Sequence, residues 1–336
     1  MSTAQLPLPG AHAASAFAAC SYVGVLYLFR STRTRPLELD PHGRRRDRLH
    51  PDILRARLCA VAFSTLLSLI LVAILANSYS RPPSSFAQSV HQTLVLTGLR
   101  LPHIGTVSEH LRVWIQPVVL TGILFWGALY TQLILEPKPK PSPQRVSAAP
   151  LADQYSFDIY LLRALVLGPL CEEIVFRACI LAFHLLVQPA HQLSKTRLIF
   201  TTPLWFGFAH VHGIWETYRS LGGNRQALKM ATIQTTVQFL YTTIFGWYAA
   251  FIYLRTGSVI SATLCHSFCN YMGLPPILDA MQRFPHKRIS IAVHYLMGVF
   301  SFAFLVRRWA ADPSLFPSNP SSWTSATAAL AQPKAS

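Results

Sequence analysis

Charge is what this sequence has least of. Asp, Glu, Lys and Arg together make up 12% of its 336 residues, about half the share found in an ordinary soluble domain. Hydrophobic residues make up 51%, and lipid is the solvent that such a balance fits. Acidic residues are the scarcer sign, 13 against 29 basic, for a formal charge of +16. That excess raises the question of nucleic acid, but the basic residues lie mostly in loops between apolar runs and not along one soluble face, so no nucleic-acid partner is expected. Cysteine offers no framework either. All six (Cys20, Cys59, Cys171, Cys179, Cys265 and Cys269) lie within or at the edge of apolar segments, without the exposed pairs that secreted proteins use. The two-residue spacing of a zinc knuckle is also missing, and small-hydrophobe packing accounts for all six. No Lys or Arg precedes the first apolar run, and the basic cluster follows it. This reverses the order of a cleaved signal peptide, so the run reads as an uncleaved anchor. No internal repeat is visible.

Apolar runs are plentiful. Eight stretches, about 11–29, 58–76, 113–135, 160–188, 198–213, 230–254, 257–278 and 289–306, are candidates to cross a hydrocarbon core of about 30 Å, which takes roughly 20 helical residues. The fifth is short and contains Pro203, and the fourth carries charge at its centre. The expected fold is therefore all-α: a polytopic membrane protein of about eight transmembrane helices. Loops 30–57, 136–159, 214–229 and 279–288 hold eighteen Lys and Arg against nine on the opposite side. The positive-inside rule then places those loops in the cytosol and both termini outside. Residues 1–135 form three leading helices with a basic cytoplasmic loop, whose excess charge is a topology determinant or a site for anionic headgroups. Residues 136–154 read as a Pro-rich linker, 155–308 as a five-helix membrane unit carrying the candidate site, and 309–336 as a disordered tail.

The fourth run reads Leu167-Gly-Pro-Leu-Cys-Glu-Glu-Ile-Val-Phe-Arg177. A carboxylate at mid-membrane costs at least ~2.5 kcal/mol and is normally turned inward and functional. Glu173 and Arg177 are four apart and share a helix face, so they predict an ion pair. Glu172 points about 100° away from that pair, and its partner must come from another helix. Candidate partners are His210, in Phe206-Gly-Phe-Ala-His210, and His266 with Asn270, whose i, i+4 spacing puts both on one face. His184, His212 and His294 read instead as satisfied core residues.

A carboxylate and a histidine sharing one water can remove its proton as it attacks a carbonyl, which is worth roughly 10²–10⁴ in rate. A second histidine with an asparagine amide can donate to the oxyanion that results. Peptide hydrolysis fits this set, and it needs no serine or cysteine nucleophile. Glu with two His is also the ligand set of some catalytic zinc sites, although no His-Glu-x-x-His helix makes two of the ligands local. A third reading, a proton or ion transporter, uses the same groups as a relay, but they cluster in three motifs and do not string along a path.

The ordered motifs Glu172-Glu173-x-x-x-Arg177, Phe206-x-x-x-His210 and His266-x-x-x-Asn270 resemble those of type II CAAX prenyl endopeptidases, the Ras-converting enzyme family, over about residues 155–275. The resemblance implies a glutamate-type intramembrane protease of the endoplasmic reticulum. Its active site would be a cavity within the membrane, accessible from the cytosol. It would remove the C-terminal tripeptide from farnesylated or geranylgeranylated CAAX proteins such as small GTPases. It further implies that Glu172 and His210 activate the water, that His266 and Asn270 form the oxyanion hole, and that Glu173 and Arg177 support them. No cofactor is expected on this mechanism, and a zinc-dependent version of the same protease is the alternative. Phe176, Trp205, Phe206, Phe208 and Phe268 either line a groove for the prenyl chain or pack between helices.

Overall fold

The computed structural model describes residues 6–43, 45–79, 85–100, 106–136, 159–187 and 191–311. Of the regions read from the sequence, all but Glu136 of the 136–154 linker and residues 312–336 of the tail lie outside the described residues. Among the described residues the regular structure is helical apart from a short antiparallel pairing of β1 (Arg35–Leu39) with β2 (Arg45–Arg46) in the basic loop and a single parallel bridge between Leu6 and Val187.

Among the described residues, four helices are long and apolar enough to cross a membrane: α1 (Leu8–Leu28), α2 (Pro51–Ser78), α10 (Arg225–Thr256) and the last helix, whose span begins at Pro285 and ends at Ala311. A fifth span arises if α4 (Val107–Leu124) and α5 (Trp126–Tyr130, continuing to Leu135), bent by 74° at Phe125, are counted as one. The described residues thus bear out an all-α chain with four or five membrane-crossing helices, and the expected count of eight goes beyond these. The three remaining apolar runs are broken or short, and they are the runs carrying the candidate site. The first of them, α6 (159–185), passes through two π turns, Arg163–Leu167 and Ile174–Cys179. The second breaks at Pro203 into α7 (Lys195–Thr201) and α8 (Leu204–Ala209), with α9 (Gly213–Ser220) following. The third is α11 (Val259–Met272), only 14 residues or roughly 21 Å, ended by Gly273 in a left-handed conformation ahead of Pro275 and Pro276. Hydropathy averages over a window and does not register such interruptions. Irregular backbone at membrane depth is tolerated only where protein or a watered cavity surrounds it.

The described chain divides into two compact units, and the division cuts across the boundaries drawn from the sequence. The first combines residues up to His103 with Leu170–Ile260, so the leading helices α1 and α2 pack directly on the segments carrying Glu172 and His210. Small residues are buried on both leading helices, Ala11, Ala14, Ser15, Ala18 and Ala19 on α1 and Ser64 and Ser68 on α2, which suits close packing, and α1 meets α2 where Ser21 Oγ lies 3.1 Å from Ser64 Oγ. Gly246 of α10 permits similar contact, since a Cβ there would sit 2.6 Å from Pro203. α3 (Phe86–Leu96) is fastened by the Tyr253 hydroxyl, which donates to the Leu96 carbonyl at 3.0 Å.

The second unit combines Ile104–Pro169 with Ser261–Ser318 and holds α12 (Ile277–Arg283) and α13 (Arg288–Ala311). Its core is Phe125, Ala128, Met272, Ala280, Ile291 and Tyr295. Tyr130 stacks on His294 with ring centroids 3.7 Å apart and meets Ser290 Oγ at 2.8 Å. The outer faces of α2 (Phe63, Leu66, Ile70, Ile74) and α13 (Val293, Leu296, Phe300, Phe304) are exposed and apolar, as surfaces meeting lipid chains must be.

Candidate active site

Glu172 and Glu173 are adjacent in the chain but differ in surroundings. Glu173 is fully buried and Arg177 is 1% exposed, and their N···O separation is 3.0 Å. Between them the helix widens into the Ile174–Cys179 π turn, a local geometry that recurs at functional sites and that this sequence did not announce. The guanidinium carbon lies 4.2 Å from the centroid of the Phe206 ring and 5.5 Å from that of Phe245. A cation–π contact screened from water in this way is worth about 2 kcal/mol. Arg177 is thus consumed inside the protein, and its role is to brace α6 against α8 and α10. Glu172 remains half-buried, with Tyr241 of α10 within electrostatic reach. It is the carboxylate of the two that solvent can approach.

His210 closes the short helix α8, half-buried. Its Nδ1 lies 2.8 Å from the Phe206 carbonyl oxygen. A carbonyl only accepts, so Nδ1 carries the proton and, in the neutral ring, Nε2 holds the lone pair. The ring is therefore set in the tautomer a general base requires. The Phe206 ring meets His210 edge-on at 4.6 Å and Phe176 at 5.1 Å, which ties His210 to the turn after Glu172. Phe206 and Phe176 are each 1% exposed. They are packing residues and do not line an open groove, whereas Phe208 is 60% exposed.

His266 and Asn270 lie in the second unit on α11, one helical turn apart as their spacing requires. His266 is buried and Asn270 exposed. The Asn270 side-chain amide donates to the Ala164 carbonyl at 2.9 Å, fixing the amide plane and leaving a second N–H on the same nitrogen. Ala164 belongs to the first π turn of α6. Of the six site residues read from the sequence, the first unit holds Glu172, Glu173, Arg177 and His210, and the second holds His266 and Asn270. Among the described residues, no three His, Cys, Asp or Glu side chains within either unit converge as a metal-ligand set.

Sequence reasoning missed a polar cluster six residues beyond His210. Arg57 Nη2 pairs with Glu216 Oε1, Arg57 Nε donates to the Thr32 carbonyl at 2.8 Å, and the hydroxyls of Tyr27 and Thr34 face the same glutamate oxygen at 3.4 and 3.5 Å. Burial pushes the Glu216 carboxyl up, but the hydrogen bond and charge of Arg57 outweigh it and hold the group below the ordinary carboxylate range. In the sequence Arg57 is one of nine basic residues in the 30–57 loop, with nothing local to single it out. The lone acid of an otherwise neutral and basic stretch was the available signal.

A family model described as type II CAAX prenyl endopeptidase Rce1-like matches residues 155–272. The human CAAX prenyl protease 2 is 34% identical over 303 residues, covering 90% of this chain and 81% of the relative. The rat CAAX prenyl protease 2 is 31% identical over 90% of this chain and 80% of its own. A probable CAAX prenyl protease 2 from Schizosaccharomyces pombe is 40% identical over 140 residues, 42% of this chain and 49% of the relative. No solved structure matches the chain.

Proposed function

The chain belongs to the type II CAAX prenyl endopeptidase family, and from that premise we propose that Glu172 and His210 activate the water with which this membrane hydrolase cuts the last three residues from farnesylated or geranylgeranylated CAAX proteins, small GTPases among them. The observation that carries the reading is the tautomer of His210, whose Nδ1 is committed to the Phe206 carbonyl and whose Nε2 lone pair is thereby directed to receive a proton.

Glu172 and His210 share one water. As its oxygen bonds to the scissile carbonyl carbon, its proton passes to the pair and the carbonyl oxygen takes up the negative charge. His266 and the second N–H of Asn270 donate to that oxyanion, the interaction that strengthens most in the transition state. When the C–N bond breaks, the proton held by the pair moves to the departing amine, and the tripeptide leaves with a neutral or protonated N-terminus. Glu173 and Arg177 touch no reacting atom and keep α6 in place. The reaction calls for an intramembrane cavity that admits water and a prenylated tail from the cytosolic side. Such a substrate, apolar along its lipid and polar along its peptide, is held at this depth by its own partitioning. The reading places the protein in the endoplasmic reticulum membrane and requires no metal. The transporter alternative finds no support among the relatives, which are named as proteases.

The test is release of tripeptide from a farnesylated CAAX peptide by purified protein in lipid. Wild type is expected to release it, while Glu172→Ala and His210→Ala lower kcat by about 10²–10⁴. Equal release by wild type and both variants would remove these residues from the mechanism.

A further inference from the structure

His210 stands between two helices too short to hold themselves. α8 has six residues and α9 eight, whereas an isolated helix is marginal below about 12–15. The backbone around the histidine is turn-like, with the His210 N–H bonded to the Gly207 carbonyl at 3.0 Å and the Gly213 N–H to the His210 carbonyl at 3.1 Å. The position of this ring is therefore set by whatever anchors the segment on either side.

On the N-terminal side the anchor is apolar. Phe206 is packed under the Arg177 guanidinium, and Gly207 lies so close to α10 that a Cβ would collide with Thr243 Oγ1. On the C-terminal side the anchor is ionic. Glu216 of α9 is gripped by Arg57 of α2, and Arg57 is oriented by its second bond to the Thr32 carbonyl. Thr32 is itself fixed, 1% exposed and donating to the Phe29 carbonyl at 2.9 Å. The Tyr27 ring of α1 meets the His212 ring edge-on at 5.8 Å while its hydroxyl faces Glu216. The charged and titratable groups near Glu216 are thus Arg57, His212, Arg48 and Tyr27. The two partners of this ion pair are 159 residues apart in sequence, and both are largely buried, with side chains 12% and 13% exposed.

We propose that the Arg57–Glu216 pair is a positioning device for the reaction, a clasp by which the leading helices α1 and α2 hold the His210 segment where its Nε2 meets the catalytic water. Neither residue touches the substrate. The proposal rests on His210 acting as general base, and it gives the leading helices a part in catalysis beyond anchoring the chain. Losing the clasp displaces a correctly protonated base, and a misplacement of about 1 Å costs on the order of 10²-fold.

The test uses full-length protein in lipid vesicles with a farnesylated CAAX peptide and reads kcat and KM separately. Glu216→Gln and Arg57→Gln are each expected to lower kcat about 10- to 100-fold with KM within about twofold of wild type, because substrate binding does not involve the clasp. The exchanged double variant, Arg57→Glu with Glu216→Arg, is expected to recover at least about tenfold over the worse single. Should a single variant not accumulate as folded protein, Arg57→Lys carries the test. It keeps the charge but has one nitrogen for two acceptors, and it is expected to lose about tenfold in kcat alone. Wild-type kcat in the singles, a loss confined to KM, or no recovery in the exchanged variant overturns the clasp. His210→Ala, measured in parallel, separates the two levels: if it stays active, the reading of His210 fails; if it is inactive while Glu216→Gln is not, only the clasp fails.

Discussion

Glu173 and Arg177 form an ion pair 3.0 Å apart that is sealed from water on both partners, with exposures of 0% and 1%. Its place next to Glu172 puts two carboxylates of identical chemistry in two environments, one sealed and one half-buried. The pair closes within one π turn and its cation is capped by Phe206 and Phe245, so it joins α6, α8 and α10 at a single point. Burying such a pair is close to neutral for stability, but removing one partner strands a charge in a dry interior.

Glu173→Gln and Arg177→Met should each therefore destabilise the protein by about 3–5 kcal/mol, seen as a lowered melting temperature in lipid. The double variant should regain most of that loss, because no charge is left stranded. Arg177→Lys should stay destabilised, since an ammonium lacks the plane that lies against Phe206. A double variant no more stable than the singles would show that the pair is not the source of the effect.

Asn270→Ala should lower kcat by about 10²–10³ with little change in KM, the cost of one oxyanion donor. Asn270→Asp should be at least as impaired, because an ionised carboxylate only accepts hydrogen bonds and would face the developing negative charge. Measured kcat values on a farnesylated peptide decide this, and an active aspartate variant would remove the donor role.

The Arg57–Glu216 pair also has a pH signature. Arg57 holds the Glu216 carboxyl below its ordinary value of 4.5, and a group with a depressed folded pKa contributes stability that is whole above the unfolded pKa and lost as pH falls through the folded one. Melting temperature measured from pH 7 downward should show wild type more stable than Glu216→Gln at neutrality. The two curves should converge below about pH 4.5, the ordinary carboxylate value. Parallel curves throughout would indicate that the pair's ionisation contributes nothing.

A water activated by Glu172 and His210 needs no ion. Tripeptide release should therefore survive dialysis against a strong chelator, and metal analysis of the active protein should find no stoichiometric zinc. Activity that vanishes on chelation and returns with zinc would establish the zinc-dependent alternative, in which Glu and His side chains act as ligands.

The local geometry of the candidate site was legible in the sequence because it follows from helical spacing. Four-residue spacing was enough to join Glu173 to Arg177 and to put His266 with Asn270 on one face. The count of spans was less legible. Windowed hydropathy reads the runs around Pro203 and His266 as crossings, although Pro203 and the Gly273–Pro276 stretch mark where those helices end. The aromatic residues near the motifs were ambiguous for another reason: Phe206 and Phe208 are two apart, yet one is buried and the other exposed, and composition does not distinguish them.

The sequence by itself determined the class of solvent, the helical fold and the residue types able to move protons, since charge scarcity and i, i+4 geometry are properties of the chain alone. Only the tertiary structure decided which of two neighbouring glutamates is shielded, and that α1 and α2 belong with the His210 segment. The Arg57–Glu216 contact spans 159 residues, and no periodicity encodes it. Its formation depends on where helices pack, an outcome set by burial of small and apolar faces over the whole unit.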